Sequence, residues 1–305
     1  VHSRHNIAPK LFSYKWFRLK MIKDKLEKKE FDNINGLSCL ENYTTYALKR
    51  ERINYTLLYY KRWIPLFQII EEFIDKKVSF AEFYKVKRLQ KVAEELGIIK
   101  TLEQDKYLND IAEEWNNYDY WTVKVKEEFI KKQYSTQLLR NDHYILLSYK
   151  NENEFFYLND TPRDEGSINY NSLEKIISKK IYAFSIIHDT KFDIKVLKKI
   201  FLKSVIEDDK KIEIWVDNNT DIELIRDILG ILKILRKQVT MFCGNFINTY
   251  KISGYLDELE KYYALMEYMR LRKIVSYRKI KEICGEIIIN DKKMREYIIN
   301  EMSCD

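Results

Sequence analysis

Three side chains of the kinds that do covalent chemistry together are spread along the first half of the chain: Cys39, His143 and Asp160. A cysteine is a strong nucleophile only as its thiolate, so it needs a base or a local positive potential. Cys39 follows Asn33-Ile-Asn-Gly-Leu-Ser38 and opens Leu40-Glu-Asn-Tyr-Thr-Thr-Tyr-Ala-Leu-Lys-Arg50, a run of helical composition. At a helix N-terminus the dipole and the unpaired N–H groups would favour the thiolate. The alternative is that Cys39 is a small buried hydrophobe, as free cysteines often are.

His143 and Asp160 bracket a predicted β-hairpin. Tyr144–Tyr149 forms one strand, Asn151-Glu-Asn153 the turn and Phe155–Leu158 the second strand. The two ends of an antiparallel pair lie side by side, which predicts a contact between the imidazole and the carboxylate. That contact would fix the ring tautomer and stabilise its protonated form.

Other elements must position these residues. The segment from Tyr120 alternates Trp121, Val123 and Val125 with polar residues, predicting a half-buried strand beside the hairpin. Residues 10–30 read as a basic helix or arm, Ile53–Tyr60 as β-prone and Phe67–Ile74 as helical. Ser79-Phe-Ala-Glu82 is a capping box whose helix should stop at Gly97, and Thr101-Leu-Glu-Gln104 is a candidate cap for another. Ser172–Ile177 predicts a short helix and Ile181–Ile187 a strand, with a domain boundary near 188–192 and a structural role for His188. Beyond it the spacing predicts helices over Phe192–Val205, Asp221–Lys237, the region of Leu256–Met269, and from Ser276 to about Asn300 with Gly285 a candidate break. Ile212–Val216 and Val239–Cys243 read as strands.

Composition narrows the class. The chain has 305 residues, 46% hydrophobic and 33% charged, with Gly 7 and Pro 3, which indicates an ordered globular protein of about two domains. Four cysteines without CxxC pairing and four histidines, two of them in the first five residues, argue against a disulfide framework or a zinc cluster. No apolar run approaches a membrane span or a signal core, so a reduced cytoplasmic location and no membrane partner are expected. The net charge of +7 predicts an acidic partner. With 47 acidic residues and no nucleic-acid motif, an acidic protein is expected and nucleic acid is not.

A cysteine, then a histidine opening a hairpin, then an acid closing it, resembles papain-like enzymes over residues about 25–187. The match is to the histidine–aspartate hairpin of the cysteine peptidases and butirosin-type acyltransferases of that group. Ser38-Cys39-Leu40 departs from the Asp-Cys-Gly of the peptidases, Ser148 stands where Gly is common, and Pro162 is displaced by one residue from the usual Asp-Pro. These departures tell more against a peptidase than against an acyltransferase. The resemblance implies an α+β, papain-like fold with an antiparallel sheet and a mostly helical C-terminal region. The divisions are a 1–24 arm, a 25–190 catalytic domain and a 191–305 accessory domain.

It also implies a Cys39–His143–Asp160 triad that moves an acyl group from a carrier-protein phosphopantetheine thioester to an amine such as diaminopropane, without a bound cofactor or metal. The Cys39 N–H would serve the oxyanion, with Asn33, six before the cysteine, or Asn35 as second donor, unless these are turn-forming residues. Tyr118-Asp-Tyr-Trp121 and Phe155-Phe-Tyr157 would wall an acyl tunnel or else be core. A peptidase and a non-enzymatic binding module are the two rival expectations.

Overall fold

The computed structural model describes residues 26–31, 38–79, 82–83, 89–106, 117–126, 143–151, 153–160, 163–188, 190, 193–208, 210, 212, 216 and 221–303. The architecture is mixed α+β, and the chain divides into two compact units. One takes Val1–Glu30 and Lys100–Ile186; the other takes Phe31–Ile99 and Ile187–Asp305. This differs from a simple 25–190 and 191–305 division, because the segment carrying Cys39 clusters with the helical C-terminal part.

The first unit is built on a sheet of β1 (Ile99–Gln104), β2 (Tyr120–Val125), β3 (His143–Asn151), β4 (Glu154–Asp160), β5 (Arg163–Asn169) and β6 (Ile177–Ile186). Their spatial order is β1-β6-β2-β3-β4-β5. The hairpin and its neighbour are those read from the sequence: β2 pairs antiparallel with β3, and β3 with β4. One face carries Trp121, Val123, Val125, Ile145, Leu147, Phe155, Ile181 and Ala183, closed by Leu173 from the short helix α4 (Tyr170–Ile176). The other face is buried too, through Tyr120, Thr122, Tyr144, Leu146, Leu158, Tyr182 and Phe184. The central strand β2 is therefore covered on both sides, where alternation had suggested one. Thr122 fits there because its hydroxyl donates to the Tyr182 carbonyl at 2.8 Å. On β5, Gly166 lies opposite Tyr157, and a Cβ at that position would meet the tyrosine ring at 2.8 Å.

The second unit is helical: α1 (Cys39–Arg50), α2 (Leu66–Ile74), α3 (Leu89–Glu95), α5 (Ile194–Ile206), α6 (Ile222–Cys243), α7 (Tyr250–Arg272) and α8 (Tyr277–Met302). Helix α6 starts at Asp221, whose carboxylate accepts from the Glu223 N–H, and is the core of the unit through Ile225, Ile228, Leu232, Leu235, Val239 and Phe242. Arg236 is fully buried within that stripe. It makes a two-pronged ion pair with Asp291 of α8 (2.6 and 2.8 Å) and donates to the Ile64 carbonyl at 3.0 Å. A buried guanidinium requires that many partners to offset its lost hydration.

Several local expectations change. Val239–Cys243 is the last turn of α6 and not a strand, because Val239 and Phe242 continue the helical stripe. Ile53–Tyr60 gives a 3-10 segment, Tyr55–Lys61, started by the Asn54 side chain and buried at consecutive positions, not at alternate ones. Thr101–Gln104 lies in β1, so its capping pattern is unused. Gly285 sits inside an unbroken α8. The Ser79 capping box is formed, with the Ser79 N–H donating to Glu82 at 3.0 Å and the Glu82 N–H to Ser79 at 3.3 Å. Gly97 follows α3 at φ +67°, the left-handed conformation that releases the chain toward β1. The arm before residue 26 and most of Ile212–Val216 lie outside the described residues.

Candidate functional site

His143 is the first residue of β3 and is 5% exposed. Its Nε2 lies 2.5 Å from Oδ1 of Asn159, which is itself fully buried. A carbonyl oxygen can only accept, so the bond to Oδ1 requires the proton on Nε2, and the contact holds the ring in place. In the neutral ring of that tautomer the lone pair is on Nδ1. Asn159 Nδ2 is buried without a partner, so the amide's one side-chain bond goes to the imidazole.

The contact expected from Asp160 is not made. Leu146 pairs with Leu158, which puts Ile145 opposite Asn159 and leaves Asn159 diagonal to His143 on the same face. Asp160, one residue on, projects from the opposite face with Leu158's set. The cause is a bulge beside the turn. Tyr149 pairs with Phe155 but Asn151 with Glu154, so two residues of β3 oppose one of β4. Without that extra residue the register would carry Asp160, and not Asn159, to the histidine's face. The imidazole is thus paired with an amide, and Asn159 is the partner of His143 that sequence reading missed. Its signal was present only as a polar residue neighbouring the expected acid.

Cys39 belongs to the other unit, where it is the first residue of α1 as expected, and it is half-buried and not in a disulfide. Ser38 caps this helix in extended conformation and accepts from the Glu41 N–H at 3.2 Å. Glu41 is itself buried; it pairs with Arg62 at 2.5 Å and accepts from the Leu89 N–H at 2.8 Å. The first turn of α1 is thus anchored by an ion pair, while its positive end faces the thiol's own residue. The remaining described cysteines are unlike it. Cys243 and Cys284 are buried, and burial pushes both thiols up, that of Cys284 to about 12.

Asn33 and Asn35, the two candidate oxyanion donors, lie outside the described residues. Tyr118, Trp121 and Phe155 of the aromatic segments belong to the buried cluster on the sheet, with Tyr118 and Trp121 meeting edge to face, while Tyr157 is half-buried against it. His188 is exposed and lies 3.8 Å from Glu51, a loose surface pair and not a packed structural histidine. Among the described residues no cluster of histidine, cysteine and carboxylate side chains is arranged to hold a metal ion. No family model matches the chain, and no curated protein matches it.

Proposed function

We propose that the protein is a cysteine-dependent acyltransferase that forms amides. The observation that carries the reading is the buried His143–Asn159 pair, which fixes the orientation of the imidazole ring. Cys39 at the capped start of α1 supports it. In this reading His143 Nδ1 takes the Cys39 proton, and the thiolate attacks the carbonyl of a carrier-bound phosphopantetheine thioester. The tetrahedral intermediate expels the pantetheine thiolate, which takes the proton back from His143 and leaves acyl-Cys39. Exchange of one thioester for another is nearly isoenergetic, so no nucleotide is consumed. An amine then attacks acyl-Cys39, His143 removes its proton, and the departing Cys39 thiolate is reprotonated as the amide is released.

Asn159 takes the orienting role that the sequence alone would give to Asp160. The donor and acceptor classes come from the resemblance to butirosin-type acyltransferases, and within them to the amide synthetase of closthioamide assembly. They are an acidic acyl or peptidyl carrier protein and a small amine of the diaminopropane kind.

The test is intact-protein mass spectrometry with an acyl-N-acetylcysteamine thioester. The acyl mass is expected on Cys39, absent in Cys39→Ala and strongly slowed in His143→Ala, and it should discharge to added diaminopropane faster than to water. No acyl adduct, or an adduct on another residue, would overturn the assignment. Adduct discharged to water alone, with peptide cleavage, would make the enzyme a peptidase.

A further inference from the structure

The connection between α7 and α8 is a second place where the surface is unusual. Tyr268 is 54% exposed, Leu271 65%, Ile274 59% and Val275 41%, so four large apolar side chains project within eight residues. Along residues 267–282 they stand among six cations, Arg270, Arg272, Lys273, Arg278, Lys279 and Lys281, and two carboxylates, Glu267 and Glu282, a net charge of +4 for the segment, with Glu223 of α6 also 3.9 Å from Arg270. Both carboxylates are already engaged inside the patch, Glu267 with Arg270 and Glu282 with Arg278 and Lys279. Lys273 caps α7 in the left-handed conformation at φ 54°, which turns the chain sharply and places Ile274 and Val275 at the bend. Exposed apolar groups of this size, ringed by charge of one sign, mark a docking surface.

The charge decides what can cover it. A second copy of the chain would bring one +4 patch against another, so self-association through this bend is disfavoured. The patch needs a negative partner. The apolar groups sit on the last turn of α7 and the short turn that follows it, and a deformable apolar medium can receive such side chains without a preformed groove. We infer that the α7–α8 turn is a reversible docking site for an anionic lipid surface, with Leu271, Ile274 and Val275 entering the headgroup boundary and the surrounding Arg and Lys side chains meeting lipid phosphates. No helix among the described residues is long and apolar enough to cross a membrane, and none is needed for a contact of this kind.

The experiment is co-sedimentation of the full chain with vesicles of phosphatidylcholine alone and of phosphatidylcholine with roughly one-third phosphatidylglycerol. Binding is expected on the anionic vesicles, weakened by salt, and at least tenfold weaker on the neutral ones. Leu271→Ser with Ile274→Ser, and separately Arg272→Glu with Lys273→Glu, should each reduce partitioning about tenfold or more, the second through loss of roughly 1 kcal/mol for each cation near the surface. All four side chains are exposed, and circular dichroism verifies that the fold is kept. Lys76→Glu with Lys77→Glu makes the same change in net charge elsewhere and should matter little. If that control weakened binding as much, general charge and not this turn would be responsible. Failure to bind anionic vesicles, including the case in which an acidic protein binds the turn instead, would overturn the lipid assignment.

Discussion

Replacing Asn159 with alanine separates the two candidate partners of His143 most sharply. The hydrogen bond to Nε2 is worth about 1 kcal/mol when the ring is neutral and about 2–3 kcal/mol when it is an imidazolium. In the proposed reaction Asn159 would therefore favour the ring that has taken the thiol proton by ~1–2 kcal/mol, which is roughly a 5- to 30-fold effect on rate. In a Cys304→Ser background, the second-order rate of Cys39 alkylation by iodoacetamide near about pH 6 should fall by that factor in Asn159→Ala. The kcat/KM for acyl transfer from a small thioester should fall in parallel. Asn159→Asp, which restores an acceptor on the same face, should recover most of both rates. Asp160→Asn, on the opposite face, should change neither by more than about threefold. The reasoning is refuted if Asp160→Asn is the more damaging change, or if Asn159→Ala leaves Cys39 reactivity untouched.

The same reagent should show selectivity among the cysteines. Cys39, half-buried, is expected to label in the folded protein, while Cys243 and Cys284, buried with thiols held protonated, should label only after denaturation; peptide mapping reads this directly. Asp291→Ala strips the fully buried Arg236 of its carboxylate and should cost about 3–5 kcal/mol in denaturant unfolding, far more than an exposed pair such as Lys203–Glu207. Asp208 accepts from Trp63 Nε1 at 3.0 Å, and burial raises its carboxyl above the usual range even though Arg236 opposes the shift. Because the folded-state value is raised, its favourable contribution is full below the ordinary carboxylate value and is lost as pH rises through the folded value. Asp208→Asn, which still accepts from Trp63, should therefore raise Tm near neutral pH, and the gain should vanish as the pH falls below the ordinary carboxylate range. A Tm difference that grew toward acid would contradict that sign.

Much of the local structure was legible in the sequence because its causes are local. The helix begun at Cys39 has a serine cap, and the capping box at Ser79 closes as its spacing requires. The hairpin is written in two β-prone runs about a polar turn. Elements that failed did so where packing overrode propensity. Val239 and Phe242 are β-prone in isolation, yet they complete the buried stripe of α6. Thr101–Gln104 has a helix cap's spacing, yet it is a strand next to β6.

The site divides in the same way. Neighbouring residues were enough to place Cys39 at a capped helix start and His143 at a strand terminus, since both are local properties. The partner of the histidine was not decided by neighbours. It depends on how two strands are registered, and side chains on a strand alternate with a period of two, so one extra residue in β3 moves the whole of β4 to the other face. Nothing in Lys150 or the turn residues announces that bulge by type. Only the paired sheet places Asn159 on the imidazole and turns Asp160 away from it.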